Sequence, residues 1–316
     1  MRYLVVCLLA GALYACHTPQ NDYVKVIHDP ALYSKVTGQL IDVITYDIFT
    51  PPVASRVQAY AHLAAYEVIT RYDSNYTSLE GQLKDLPKGS IPNPPAGAQI
   101  DFPFAAMKAY IHVGNALTFS KDKTDSMIQS LDSLAIRHGM PKEMIRQSSD
   151  YGIAVGNAIL DWSKKDNYAE TRSAPKYTVT NADSSWIPTP PGYFQGVEPQ
   201  WKSIRTIAIG NPSTFLPSMS IIKFSREKGS SFDHLVHQVY DSVNALTDAQ
   251  KAIANFWDCN GFRMNVVGHL MYATKAMTPG DHWMGITGII SKNQHADFDK
   301  TVYAYASVAA GIMDGF

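Results

Sequence analysis

Thr50-Pro51 opens a run in which Val53, Val57, Tyr60, Ala61, Ala64 and Val68 return at helical spacing. That run constrains the fold more than any other feature of the chain. Thr50 suits the N-cap and Pro51 the first helical position, where a missing N–H costs nothing. Periodicity of this kind puts one face of a helix in a core. The small residues Ala61, Ala64 and Ala65 let a second helix approach closely, so the segment calls for helical neighbours. Glu67 and Arg71, four residues apart, are expected on the outer face.

The neighbours are present. Residues 104–119 read as a helix. Residues 124–138 read as another, with Ile128, Leu131, Leu134 and Ala135 on one side. His138-Gly139 followed by Pro141 is a helix stop, and Pro141 opens a further helix with Tyr151, Val155, Ala158 and Trp162 as its buried stripe. Later, Phe232, Leu235, Val236, Val239, Tyr240, Val243 and Leu246 form one apolar stripe. Thr247 to Gln250 fits a capping box, with Ile253, Phe256 and Trp257 expected inward. Further helices are predicted near 262–274, 282–290 and 297–316, with Asp281 as the N-cap of the second. Two stretches break the pattern. Residues 79–99 carry Pro87, Gly89, Pro92, Pro94, Pro95 and Gly97. Residues 168–231 are interrupted by prolines throughout, and their aromatics Tyr177, Trp186, Tyr193, Phe194 and Trp201 suggest a loop packed down on helices. Tyr177-Thr178-Val179-Thr180 is the best short strand signal. The class implied is all-α, a helical bundle wrapped by long Pro-rich loops.

The 316 residues are 46% hydrophobic and 17% charged, enough apolar material for a substantial core. A net charge of -1 with scattered Lys and Arg gives no footprint for nucleic acid. The N-terminus reads as a targeting segment. Arg2 supplies a short positive region, and Leu4 to Leu13 form an apolar stretch too short to span a bilayer. Leu13-Tyr14-Ala15-Cys16 resembles a bacterial lipobox, which makes 1–15 a signal peptide and Cys16 a lipidation site. Residues 16–30 then read as a tether and 31–316 as the helical domain. A lipid on Cys16 implies an exported protein anchored to a bacterial envelope membrane, periplasmic or on the outer surface. With Cys7 in the signal and Cys16 lipidated, Cys259 stands alone, without an intrachain disulfide, and is expected to pack in the core.

Several motifs occur in a fixed order from Trp186 onward. They are Trp186-Ile187-Pro188-Thr189-Pro190-Pro191, Glu198-Pro199-Gln200-Trp201, Leu246-Thr247-Asp248-Ala249-Gln250, Ile253-Ala254-Asn255-Phe256-Trp257-Asp258 and Asp281-His282-Trp283. This string resembles bacterial vanadium-dependent haloperoxidases, relatives of the type 2 phosphatidic acid phosphatases. The resemblance implies the N-terminal part of that helical bundle, with a vanadate cofactor in the complete family member and peroxide and halide as its substrates. It also leaves open an acid phosphatase on the same fold, and a surface lipoprotein that binds or scaffolds without catalysis, with a homo-oligomer as a further option. In the family a helix like residues 302–316 leads into the oxyanion-binding residues, so the chain is expected to be truncated before them and inactive as written.

The family's oxyanion site uses a Lys, two Arg, a Ser-Gly-His stretch and a second His near an Asp. Cations neutralise the anion, and a neutral imidazole meets its apical position. No Arg-Pro and no Pro-Ser-Gly-His occurs in this chain. Ser225-Arg226, His237 and Asp241 imitate the last motif at the wrong spacing, and His237 and Asp241 fall on the polar side of the 232–246 stripe. No catalytic or cofactor-binding residue is therefore assigned. Lys202 and Arg205 are candidates to face a substrate anion from the long loop, set against a plain solvated pair. His269 and His282 lack a metal-binding motif around them and read as interior or helix-end histidines. Asp258, Asp281 and Asp314 show no pairing suited to acid/base work.

Overall fold

The computed structural model describes residues 22–180, 182–183, 185–190, 192–218 and 221–316, with backbone alone at 262–267 and 271–274. Residues 1–15, expected to be a signal peptide, and Cys16, the expected lipidation site, lie outside the described residues.

The chain turns around a central helix. The order is α1 (Tyr23–Ile27), α2 (Pro30–Tyr46), α3 (Pro51–Ile69), α4 (Phe102–Leu117), α5 (Lys121–Arg137), α6 (Lys142–Ser163) and α7 (Tyr168–Ser173). After the long loop come α8 (Ser231–Asn244), α9 (Asp248–Phe256), β1 (Phe262–Val267), β2 (Leu270–Lys275), α10 (Pro279–Asn293) and α11 (Phe298–Gly315). Every residue of α3 from Val53 to Ile69 is buried. The Ala-rich face explains how: with no bulk at Ala61, Ala64 and Ala65, helices α4, α6, α10 and α11 all pack around it. Gly152 serves the same end between α4 and α6. A Cβ there would meet the Ala105 carbonyl oxygen at 2.3 Å.

Caps set the helix starts. Asp29 accepts from the N–H of Ala31 at the head of α2, and Asp101 from Phe104 at the head of α4. Thr247 and Gln250 form the expected capping box on α9. His138-Gly139 ends α5 as read, with Gly139 at φ 83°. Thr50 occupies the N-cap position of α3 but caps nothing. Its hydroxyl donates instead to Glu198 Oε1 on the long loop, at 3.0 Å. Asp281 is not the N-cap of α10 either; Thr278 is, and Asp281 is the third helical residue that completes its capping box.

Other expectations are corrected. The tether of residues 16–30 is not featureless to its end. Asp22 accepts from His138 and Ile27 is fully buried, so α1 docks on α5. Residues 262–274, read as a helix, form an antiparallel hairpin with Val267 opposite Leu270. Gly268, at φ 61°, allows the two-residue turn that reverses the chain. Tyr177–Thr180, the strand candidate, has no regular secondary structure and pairs with no strand among the described residues. Glu67 and Arg71 are not on an outer face: Glu67 is buried, where it accepts from the Leu79 N–H and the Ser78 hydroxyl, and Arg71 bridges it to Glu80. Ile253, Phe256 and Trp257, expected inward, are 60%, 67% and 54% exposed.

The long loop is held at its second half. Asp166 O accepts from the Arg205 N–H. Asp314, on α11, accepts from the consecutive N–H groups of Ile207, Ala208 and Ile209, which buries Ile207 completely. Of the loop aromatics, Trp201 packs on the core, while Tyr177 and Trp186 pair edge-on with each other and stay half-exposed.

Candidate functional site

Four buried or half-buried clusters could hold chemistry. The first joins α3, α6 and the long loop. Arg56 Nε donates to Asp166 Oδ2 at 2.6 Å and its Nη2 to the Ser163 carbonyl. Tyr60 donates to the same carboxylate oxygen at 2.9 Å. Arg205 Nη2 reaches the Tyr60 oxygen and the Trp162 carbonyl, and its guanidinium lies 4.5 Å over the Trp162 ring. Burial, and then the Asp166 charge, push the Tyr60 hydroxyl far above its usual range, so it stays a donor. Arg56 thus holds the carboxylate directly and Arg205 reaches it only through the Tyr60 hydroxyl, while Arg205 Nε and Nη1 have no hydrogen-bond partner. Arg56 and Asp166 also line a cleft of about 680 Å³ with Phe119, Lys121 and Tyr168.

The second cluster is an aromatic cage in the core. Tyr33 meets the rings of His62, Tyr110, Phe298 and Tyr305 edge-on, at 5.6 to 5.7 Å. Tyr33 Oη lies 2.8 Å from His62 Nδ1. Burial holds the His62 imidazole down at about 3, so it is neutral and acts as an acceptor for the Tyr33 hydroxyl. Its Nε2 has no partner. Beside the cage, Tyr110 donates to Gln58 and Gln58 to Asp281. Burial raises the Asp281 carboxyl to about 6, against hydrogen bonds from Gln58 and Thr278 that pull it down.

The third cluster is Glu67, Arg71 and Glu80, and burial also raises the Glu67 carboxyl. The fourth sets Cys259 Sγ 2.8 Å from His282 Nδ1, with the His282 ring stacked on Trp257. Burial, then Asp258 and Asp281, raise the Cys259 thiol, so it is not an activated nucleophile.

Lys202 and Arg205 part company. Lys202 is exposed on a 3-10 turn, whereas Arg205 points inward and is 8% exposed, so they form no solvated pair. Arg226 pairs with Asp183, and His237 contacts the Asp233 carbonyl one turn back, so the Ser225–Asp241 imitation assembles nothing. His269 sits exposed at the hairpin tip. Asp314 anchors the loop, and Asp281 belongs to a cap. The signal that could have exposed the first cluster is compositional only: an Arg, a Tyr and an Asp on helices that must pack.

A vanadate ion needs several cationic donors and an imidazole converging on one void. The described residues do not fit it. Arg56, Arg71 and Lys108 each face a carboxylate, Arg205 stands against Tyr60 and Trp162 with no second free cation or imidazole beside its unpartnered Nε and Nη1, and the buried His62 has tyrosines around it and no cation in contact. Among the described residues no three His, Cys, Asp or Glu side chains gather as a metal site, and no helix is long and apolar enough to cross a membrane.

No family model matches the sequence, and no curated protein matches it. Solved structures do. A crystal structure described as the first bacterial vanadium-dependent iodoperoxidase shares 35% identity, with 91% of this chain and 68% of that chain covered at a TM-score of 0.80. A likeness of that extent, at that identity, is one of descent as well as of fold, and this all-α chain belongs to the vanadium-dependent haloperoxidase family.

Proposed function

We propose that the protein serves the family's reaction, peroxide-dependent oxidation of a halide at vanadate, as a scaffold and loop carrier and not as the source of the oxyanion-binding groups. The observation that carries this reading is the disagreement between fold and donor set: the bundle matches an iodoperoxidase over 91% of its length, while the buried cations of the described residues do not converge, Arg56, Arg71 and Lys108 each facing a carboxylate and Arg205 lying apart against Tyr60 and Trp162. Peroxide and a halide are the small molecules this reading implies, and iodide is the halide of the structural relative. Export and lipid anchoring through Cys16 complete it, on the strength of the lipobox-like Leu13-Tyr14-Ala15-Cys16.

The test is vanadate titration of the purified 316-residue chain by vanadium-51 NMR, with triiodide formation from iodide and peroxide followed in parallel. No saturable vanadate binding and no vanadate-dependent iodide oxidation are expected. Vanadate-dependent turnover by this chain alone refutes the scaffold assignment, and hydrolysis of a phosphate monoester moves the protein to the phosphatase relatives. Incorporation of radiolabelled palmitate, lost in Cys16→Ser, tests the anchor.

A further inference from the structure

Helix α1 docks at one corner of the bundle, where α5 ends and α6 begins. The Asp22 N–H donates to the His138 carbonyl, and Asp22 Oδ1 lies 2.7 Å from His138 Nδ1. The Tyr23 hydroxyl donates to Met144 Sδ, in the first turn of α6, at 3.5 Å. This corner is where the chain arrives from Cys16. Six residue steps separate Cys16 from Asp22, and a fully extended chain covers about 20 Å in six steps. The other end of the bundle is out of that reach, because α6 runs 22 residues away from the corner, about 33 Å.

The corner carries free positive charge. Lys25, Arg137 and Lys142 lie within two residues of Tyr23, His138 and Met144 in turn, and all three are exposed. None of their side chains has a hydrogen bond or an ion pair among the described residues. The acids beside them are occupied: Asp22 faces His138, and Glu143 faces Arg146. Val24 on α1 and Ile136 on α5 add aliphatic surface, 48% and 52% exposed.

We propose that this corner is the membrane-facing surface of the protein, seated on the headgroups of anionic phospholipids. The proposal rests on acylation of Cys16, the anchor of the preceding reading. With acyl chains in the bilayer, Asp22 stands within about 20 Å of the headgroups. The tether therefore brings a bilayer, and no other partner, to Lys25, Arg137 and Lys142. Each Lys or Arg held against an anionic surface strengthens binding by about fivefold, and the gain fades within a Debye length, about 8 Å at physiological salt. The tether supplies the nearness and the cations the seating. Arg205 and the 201–216 loop, joined to the far end of α6 through Asp166, then face the aqueous side, open to small molecules.

The experiment is lysine acetylation, mapped by peptide mass spectrometry, on the full-length gene product purified from membranes with its own lipid. It is reconstituted in vesicles of phosphatidylcholine with phosphatidylglycerol and, beside them, of phosphatidylcholine alone. Lys165, exposed two residues past the far end of α6, is the internal reference. Relative to Lys165, Lys25 and Lys142 should acetylate roughly fivefold more slowly on the phosphatidylglycerol vesicles than on the neutral ones. Lys25→Gln with Arg137→Gln, both exposed changes, should return Lys142 to its rate on the neutral vesicles. Slowing of Lys165 to the same degree overturns the proposal. So do rates indifferent to phosphatidylglycerol, or a Lys142 rate indifferent to the two substitutions. The N-terminal peptide separates the two readings: acyl mass on Cys16 with any of these results sinks the orientation alone, and a peptide without acyl mass sinks the anchor and the orientation with it.

Discussion

Replacing Gly152 by alanine should destabilise the protein even though alanine is the better helix former. The ideal Cβ at this position lies 2.3 Å from the Ala105 carbonyl oxygen, and 3.1 Å from both Ala109 N and Lys108 Cβ. All three atoms belong to α4, and two of them are backbone that no rotamer change can move. An ordinary C–O approach is about 3.3 Å, so α4 and α6 would have to part by about 1 Å. The same shift loosens α4 from α3, which it also packs against. Overpacking of this kind costs about 1–3 kcal/mol, and a backbone obstacle belongs at the upper end. The Gly→Ala gain in helix propensity, about 1 kcal/mol, offsets part of it. A net loss of about 2 kcal/mol follows. Gly38, on α2, is the control: its Cβ would meet nothing within 4 Å. There only the propensity acts, so Gly38→Ala should stabilise by about 0.5–1 kcal/mol. Urea unfolding followed by circular dichroism measures both. A Gly152→Ala protein at least as stable as the wild type would refute the close-approach argument. Equal shifts for the two variants would show that propensity alone governs both sites.

Further outcomes are expected. Burial raises the Asp281 carboxyl from 3.8 to about 6 in the folded state. The folded protein therefore binds more protons than the unfolded chain across that window, and its stability falls as pH rises through it. The difference between wild type and Asp281→Asn should track this, changing by about 3 kcal/mol, and a difference flat with pH would sink the assignment. Cys259, its thiol raised chiefly by burial, should react with a disulfide reagent at neutral pH more slowly than a free cysteine, as read by peptide mapping; a faster reaction would mean that His282 activates it. Arg205→Ala removes the guanidinium from Tyr60 and Trp162 and should expose the 201–216 loop to limited proteolysis, with a loss of about 2 kcal/mol in stability; an unchanged cleavage pattern would show that Asp314 alone secures the loop.

The bundle was legible where period and caps agreed. Residues 124–138 and the His138-Gly139 stop fall within a few residues of α5, and the Thr247–Gln250 box starts α9 as read. The helix α2 was readable too, from Asp29-Pro30 as cap and first turn, with Tyr33, Val36, Leu40, Val43 and Ile44 at helical spacing, but the sequence reading begins its helices at Thr50. The hairpin was misread because a short apolar run fits either period. Val267-Gly268-His269-Leu270, with a glycine between two apolar runs, was the sign of a turn. What no local pattern carries is partnership at a distance. Glu67 and Arg71 look like a surface pair four residues apart, and only the return of Ser78, Leu79 and Glu80 makes them an interior one. Arg205 looks solvated until Tyr60 and Trp162, 145 and 43 residues away, close around it.

Asp314 has a consequence for the order in which the protein is made. Its carboxylate secures Ile207, Ala208 and Ile209, the first of them 107 residues upstream. On a ribosome adding about 5–20 residues per second, that stretch of loop spends roughly 5–20 seconds synthesised but unfastened. Ile207 and the apolar side of α3 are without their cover for that time, and a chaperone that binds exposed apolar segments has its opportunity there. Helix α11 thus acts as a latch in time as well as in space: α3 and its early neighbours can begin to pack, but this stretch of loop is fastened only when α11 arrives.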